Sequence, residues 1–281
     1  MQNLIFNKLK HSPRYILFVR NFANIFYLIQ DMFLFLYALL HKFGKLNDLK
    51  DKPLKIITAC DSSHYLSAKQ LIMSIKKYEN NANIIFYDLG LQEDEIQEIK
   101  NMEVTYKYFN FNKYPNFINL KEKDAGAYAW KPQIIINELI NEEGLTIWFD
   151  AGDKLTGNLN KIKIILTFYG FYSPLSNGYV EQWTHRSTLE SLHISKKIYR
   201  KRMLNAAIIG INPKNIEYKN FIKSWSKLSL NKDLIIPEKS GKHNHRWDQS
   251  LLTIGFYSSF KKNIFVRTHK LFGVLTHQDI E

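Results

Sequence analysis

One cysteine, Cys60, stands among the 281 residues. No intrachain disulfide can close and no cysteine-based zinc site can be assembled, a usage that suits a reducing compartment. The chain has no Asn-x-Ser/Thr sequon, which disfavours a glycosylated secretory lumen. It also lacks a G-x-G-x-x-G turn and a Walker loop, so neither a dinucleotide-binding fold nor a P-loop is indicated. No repeat with a period of roughly 20–50 residues recurs, and beyond local Lys/Asn enrichment no low-complexity tract is present.

Acidic residues are in deficit: 26 Asp and Glu stand against 39 Lys and Arg, a formal net charge of +13. Such an excess either belongs to a solvated Lys-rich surface or implies an acidic partner: nucleic acid, anionic lipid or a nucleotide diphosphate. No nucleic acid partner is expected, because the basic residues are scattered, no helix-turn-helix or zinc-finger spacing occurs, and the aromatics sit in apolar runs that read as core. With 45% hydrophobic residues, the length suits one large domain plus an appendage.

That appendage is residues 1–50. Tyr15 to Phe43 is apolar but carries Arg20, Asn21, Asn24, Gln30 and Asp31, too many polar groups for an uninterrupted membrane span. Arg20, Asn24, Tyr27 and Asp31 share one stripe of a helical wheel, with Phe18, Phe22, Phe26, Ile29 and Phe33 away from it, so the segment reads as an amphipathic helix. Such a helix either makes a peripheral membrane contact through residues 15–43, at the inner face of a cytoplasmic membrane, or packs on the main domain or a second subunit. No small-residue cleavage site follows it, which argues against a signal peptide. Asn47 to Pro53 reads as a polar linker, and the main domain spans residues 51–281.

From Leu54 onward strand and helix patterns alternate. Strands are predicted at 54–60, 84–89, 104–109, 145–150, 170–174 and 204–212, and helices at 65–78, 93–100, 130–141, 217–228 and 247–256. Alternation of this kind predicts an α/β fold with a mostly parallel sheet covered on both faces.

The most informative stretch is L-T-I-W-F-D-A-G-D, Leu145 to Asp153. A buried strand that ends in Asp150 and Asp153 delivers carboxylates to the rim of the sheet, where open α/β sheets bind ligands. Alternatively Asp153, followed by Lys154 and a Gly157-Asn158 turn, only caps or closes a turn. Thr58-Ala59-Cys60-Asp61 ends the first strand with small and polar residues, letting a base and ribose approach the backbone with Asp61 on their hydroxyls, unless Ser62 or Ser63 is merely an N-cap.

These segments, with Leu204-Asn205-Ala206-Ala207-Ile208-Ile209-Gly210-Ile211-Asn212 and Arg246-Trp247-Asp248-Gln249-Ser250, follow the motif order of GT-A fold nucleotide-sugar glycosyltransferases and resemble family 8-type retaining enzymes over roughly residues 54–281. The resemblance implies a GT-A (Rossmann-like) sheet. It implies transfer of a sugar from a nucleotide-diphosphate donor, UDP-linked, to a polysaccharide or lipid-linked glycan acceptor with retention of configuration. A divalent cation, Mn or Mg, is expected at the diphosphate. The first metal carboxylate maps onto Asp150. The second normally lies two residues on, where this chain has Gly152 and then Asp153, so that the metal is held by Asp150 and Asp153 with altered geometry, or by one acid and water, or is absent. His269 is the nearest match to a C-terminal metal histidine, with His277 second.

The expected donor-side residues are Thr58, Ala59, Asp61, Asp150, Asn205 and Lys131, which at a helix start either meets a phosphate or is a solvated lysine. Asp248 and Gln249 resemble the catalytic pair at the reacting face of the sugar, the glutamine carbonyl dipole stabilising a cationic sugar. Trp183, His185 and Arg186, in a stretch that reads as a loop, are assigned to the acceptor side. A haloacid dehalogenase-type phosphatase, suggested by D-A-G-D-K-L-T-G at Asp150 to Gly157, is disfavoured, because its two acids stand two residues apart after the first strand, whereas here the spacing is three and several strands precede it. A non-catalytic nucleotide- or sugar-binding protein on the same fold remains the alternative.

Overall fold

The apolar run Leu54–Cys60 forms strand β1, with Ile56, Ile57 and Ala59 in the core. The computed structural model describes residues 53–140, 144–260 and 271–280, together with Ile29 and Met32, both helical. The rest of the amphipathic segment at 15–43, and His269, lie outside the described residues. The chain divides into two units, Met1–Lys50 and Asp51–Glu281, and the second holds the sheet. No helix among the described residues is long and apolar enough to cross a membrane.

After β1 come helix α1 (Tyr65–Tyr78), β2 (Asn83–Asp88), α2 (Glu93–Asn101), β3 (Thr105–Tyr108), α3 (Trp130–Glu138) and β4 (Leu145–Phe149). α1 buries Tyr65, Ala68, Leu71, Ile72 and Ile75, a stripe at three- and four-residue spacing. α2 opens with a Gln92–Glu95 capping box and three acids in its first turn, which complement the positive end of the helix dipole. Pro132 sits in the first turn of α3, where a missing N–H costs nothing.

Next come β5 (Lys154–Leu155), α4 (Asn160–Tyr169), β6 (Phe171–Tyr172), β7 (Leu175–Tyr179), β8 (Arg202–Leu204), β9 (Ile208–Ile211), α5 (Ile216–Ser229), α6 (Trp247–Ser259) and β10 (Val274–Leu275). α5 packs against α3 and α6. Phe171, Tyr218, Phe221, Phe256 and Phe260 form an aromatic cluster beside them, with ring centroids 4.5–6.0 Å apart.

The main sheet runs β3-β2-β1-β4-β9-β6. β1 to β4 are mutually parallel, and β9 is antiparallel to both its neighbours. The mostly parallel, helix-flanked sheet expected from the sequence is therefore present. From β1 the chain moves outward to β2 and β3 and then returns to the other side of β1 as β4. The strand order thus reverses between β1 and β4, and ligands of open α/β sheets bind at the carboxyl ends of the strands at such a switch point.

Three expectations are corrected. The single strand at 204–212 breaks into β8 and β9, because the Asn205 side-chain oxygen accepts the Ala207 N–H at 2.8 Å and turns the chain. The strand at 170–174 shortens to Phe171–Tyr172. The 182–186 stretch is mainly two helical turns, Val180–Trp183 and Arg186–Ser191, joined at Thr184 and His185.

Ahead of α3 the backbone takes an uncommon path: Asp124, Ala125, Gly126, Ala127 and Tyr128 all have φ between +52° and +65°. A left-handed turn of side-chain-bearing residues costs about 1–2 kcal/mol per residue. It persists because Trp130 Nε1 donates to the Ala125 carbonyl at 3.1 Å and the Ala129 N–H to the Gly126 carbonyl at 3.0 Å. A Cβ on Gly126 would overlap the Ile118 backbone carbonyl. Gly126→Ala is therefore expected to cost about 2–3 kcal/mol of unfolding free energy in urea denaturation. A loss below about 0.5 kcal/mol, within the range of neutral surface changes, would show that the turn accommodates a side chain there.

Candidate active site

At the switch point lies a cavity of about 580 Å³, within the roughly 300–1,000 Å³ typical of small-molecule sites. Its wall combines the end of β1 (Ala59 to Asp61), the end of β4 (Asp150 to Asp153), the Asn205–Ala207 turn, the first turns of α3 and α6, and the C-terminal segment. Residues far apart in sequence meet here because each sits at the carboxyl end of a strand or the start of a helix.

Lys131 is the hub. It is 3% exposed, and its Nζ lies 2.8 Å from Asp150 Oδ1, 3.4 Å from Asp248 Oδ2 and 3.3 Å from the Ala206 carbonyl. The rings of Tyr128 and Trp148 flank the ammonium at 5.6 and 5.7 Å, within cation–π range. The Ala206 carbonyl accepts a hydrogen bond from the ammonium, and the two carboxylates pair with it as ions. The sequence suggested a lysine facing a phosphate, whereas the structure turns its charge onto the two carboxylates, since a buried ammonium must be paired. Burial alone would lower the Lys131 pKa, but Asp150 and then Asp248 more than offset it, holding the group charged. Burial pushes the Asp248 carboxyl up to about 6, against the pull of Lys131 and with a further push from Asp150.

Asp150 is held by a second donor, Trp148 Nε1, at 2.7 Å from Oδ1, and its side chain keeps 37% exposure. Asp153 differs. It is 1% exposed, its N–H donates to the Asp150 carbonyl at 2.9 Å, and its Oδ2 is buried without a hydrogen-bond partner. Burial first, then the charge of Asp150 and more weakly that of Asp279, holds its carboxyl well above the usual carboxylate range. Between the two acids, the Gly152 carbonyl accepts the Gln278 N–H at 2.7 Å, and His277 and Asp279 line the cavity. No cluster of three or more His, Cys, Asp or Glu groups able to hold a metal occurs among the described residues.

Asp61 and Ala59 line the cavity, but Thr58, assigned to the donor from sequence, is fully buried and absent from its wall. Strand packing encloses it. Asp61 accepts from Ser63 Oγ at 2.6 Å and pairs with His64 Nδ1 at 3.1 Å; the His64 hydrogen bond is the main cause that lowers its pKa. Asn205 reaches the cavity with its side-chain oxygen committed to the β8–β9 turn. Gln249 lines it from the first turn of α6, its side-chain amide without a hydrogen-bond partner among the described residues.

Trp183 is on the wall, with the Arg246 guanidinium 4.2 Å from its ring centroid. His185 and Arg186 face a separate open hollow of about 1060 Å³, shared with Lys196, Lys197 and Arg200. Sequence reasoning missed Tyr128 and Asp279, and gave Arg246 and Trp247, quoted within the Arg246–Ser250 motif, no role of their own. Trp247 adjoins the Asp-Gln pair and has φ +42°, strain of the sort that concentrates at functional sites, but no residue pattern announces it.

A protein family described only as of unknown function (DUF1647) matches residues 34–136, and no curated protein matches. Among solved structures the chain is similar to the WbbM bifunctional glycosyltransferase in its apo form, at 15% identity and a TM-score of 0.51, over 78% of this chain and 38% of that one. The chain therefore spans well under two thirds of WbbM. It is also similar to the galactosyltransferase LgtC in complex with donor and acceptor sugar analogs (14% identity, TM-score 0.47, 79% and 86% covered). The glycosyltransferase GlyE of Streptococcus pneumoniae TIGR4 is similar at 12% identity and a TM-score of 0.43, with 74% and 44% covered. The likeness to WbbM shows the fold: this is a glycosyltransferase fold of the GT-A type.

Asp248 supplies a pH test of the hub. Its folded-state pKa of about 6 lies above the ordinary aspartate value of 3.8, so the folded protein holds this proton more tightly than the unfolded chain. The stabilisation is full below about pH 4 and is lost as pH rises through about 6, a change of about 3 kcal/mol for this group. Relative to Asp248→Asn, the native protein should lose stability steadily from pH 4 to 7 in parallel chemical denaturation series. Parallel curves for the two proteins would show that Asp248 is not a buried, late-ionising acid.

Proposed function

We propose that the chain is a glycosyltransferase that moves a sugar from a nucleotide-diphosphate donor, UDP-linked, to a polysaccharide or lipid-linked glycan acceptor with retention of configuration. One observation carries the reading. The carboxylate that closes β4 and the Asp248-Gln249 pair that opens α6 face one cavity at the sheet's switch point, tied together through Lys131.

In this reading the small residues at the end of β1 admit the nucleoside, with Asp61 on its hydroxyls. Asp150 turns toward the diphosphate, fixed in orientation by Trp148 Nε1 and Lys131. Its oxygens and the orphaned Asp153 Oδ2 are the hard donors that suit Mn or Mg, and His269 or His277 is the candidate nitrogen ligand. A cation held there would neutralise charge on the departing diphosphate.

Asp248 binds sugar hydroxyls, and Gln249 turns an uncharged amide to the anomeric carbon, where its carbonyl dipole favours developing positive charge. Lys131 serves both acids as a positioning residue. Trp183 offers a flat wall to the sugar, while His185 and Arg186 serve the acceptor from the neighbouring hollow. The +13 charge and residues 15–43 fit work at the cytoplasmic face of a membrane.

A thermal-shift panel of nucleotide sugars with and without Mn²⁺ tests the donor class. A donor at about 100 times its dissociation constant adds about 2.7 kcal/mol, which for a chain of this size is a rise of about 5 °C or more that depends on the metal. Gln249→Ala should lower donor turnover by about 100-fold or more while leaving the unliganded melting temperature within a few degrees, whereas Asp150→Asn should lower turnover as much and also destabilise the fold, since it takes the nearest carboxylate from the buried Lys131. No response to any nucleotide sinks the proposal. Metal-dependent binding without hydrolysis or transfer would instead favour a non-catalytic binding protein.

A further inference from the structure

Gly152 occupies the position at which the resemblance calls for a second acid, and the space its side chain would fill is taken. A Cβ built on Gly152 would overlap the carboxylate of Asp279, whose Cγ lies 2.7 Å from that point. Asp279 reaches this place through a chain of backbone constraints. β10 pairs antiparallel with β5 immediately after Asp153, and the Thr156 N–H donates to the Gly273 carbonyl at 2.7 Å. The Gln278 N–H binds the Gly152 carbonyl. On the far side α1 holds the segment: Gln70 Nε2 donates to the Gln278 carbonyl at 3.0 Å, and the Ile280 N–H donates to Ser67 Oγ at 2.8 Å.

We infer that Asp279 supplies, from the C-terminal segment, the second metal carboxylate that position 152 lacks, so that Asp150 and Asp279 together hold a divalent cation against the donor diphosphate. This rests on the sugar-transfer reading of the site.

Asp153 fills the role less well, since it is 1% exposed, whereas Asp279 is exposed on the cavity wall and accepts no hydrogen bond among the described residues. Asp153 also lines this cavity, and its buried Oδ2 is left without a hydrogen-bond partner, a lack that a cation could make good. Two carboxylates are enough: a small hard cation commonly takes one or two from the protein and fills its remaining positions with phosphate oxygens and water.

A side chain at position 152 would therefore push the Asp279 carboxylate out of its present place.

The test measures Mn²⁺ binding to the full chain by the electron paramagnetic resonance signal of the free ion, with and without UDP. Asp279→Asn, which keeps the shape and removes the charge, should weaken Mn²⁺ binding in the presence of UDP by about tenfold or more, while Asp94→Asn, which removes the same charge from the surface of α2, leaves it within about twofold. Moving the acid with the double substitution Gly152→Asp and Asp279→Ala should restore affinity to within about threefold of the native protein. Native-like Mn²⁺ affinity in folded Asp279→Asn overturns the inference and leaves the sugar-transfer reading intact. Failure of the native chain itself to bind Mn²⁺ with UDP overturns both.

Discussion

A single buried ammonium holds the centre of this domain together. Taking a charge out of water costs several kcal/mol unless an opposite charge meets it, and Lys131 meets two, on Asp150 and Asp248. Those acids belong to elements nearly a hundred residues apart, the end of β4 and the start of α6. Their mutual repulsion would push the elements apart without the cation between them. The arrangement is reciprocal: the carboxylates keep Lys131 charged, and Lys131 keeps two acids at the rim of one cavity.

Much of the surrounding structure serves to aim that lysine. The left-handed turn at 124–128 sets the direction from which α3 enters, and Tyr128, at its end, lays a ring beside the ammonium. Trp148 does double duty, offering its face to Lys131 and its Nε1 to Asp150. The start of α6 is fixed from two sides. Trp225 Nε1 of α5 donates to the Asp248 carbonyl at 2.9 Å, and the Trp183 carbonyl accepts from the Arg246 N–H and from Ser250 Oγ. Backbone strain is tolerated at Tyr128 and Trp247 because neighbours over-determine both positions.

What the sequence made legible tracks the strength of its periodic signals. β1 and α1 end where the apolar runs and helical stripes end, because buried strands and two-sided helices write their boundaries in residue type. β5 and β10, two residues each, and β7, with its L-S-N-G-Y run, carry no alternation to read and form through tertiary pairing. The break at Asn205 was hidden for another reason: the flanking residues are apolar on both sides of a side-chain-to-backbone turn. The gathering of Asp150, Asp248 and Gln249 was legible through motif order. The partner of Lys131 was not, since nothing in Trp130-Lys131-Pro132 says whether an ammonium meets phosphate or carboxylate.

The Gly152–Asp279 contact shows why spacing within a motif is a weak guide to the chemistry at its site. A cation or a diphosphate responds to where oxygen atoms stand and how they are solvated, and is indifferent to which part of the chain delivers them. An acid at position 152 would be carried by the strand end itself, fixed as soon as the sheet forms. An acid at 279 is held in place by the pairing of β10 with β5 and by the bonds of Gln278 and Ile280 to Gln70 and Ser67 of α1. Local and sub-global openings of a fold differ in free energy, and a pairing of two residues, such as β10 on β5, lies at the low end. A site that draws one carboxylate from such a segment ties its affinity for a cation to the docking of that segment. By linkage, whatever binds the completed site must in turn hold the segment down.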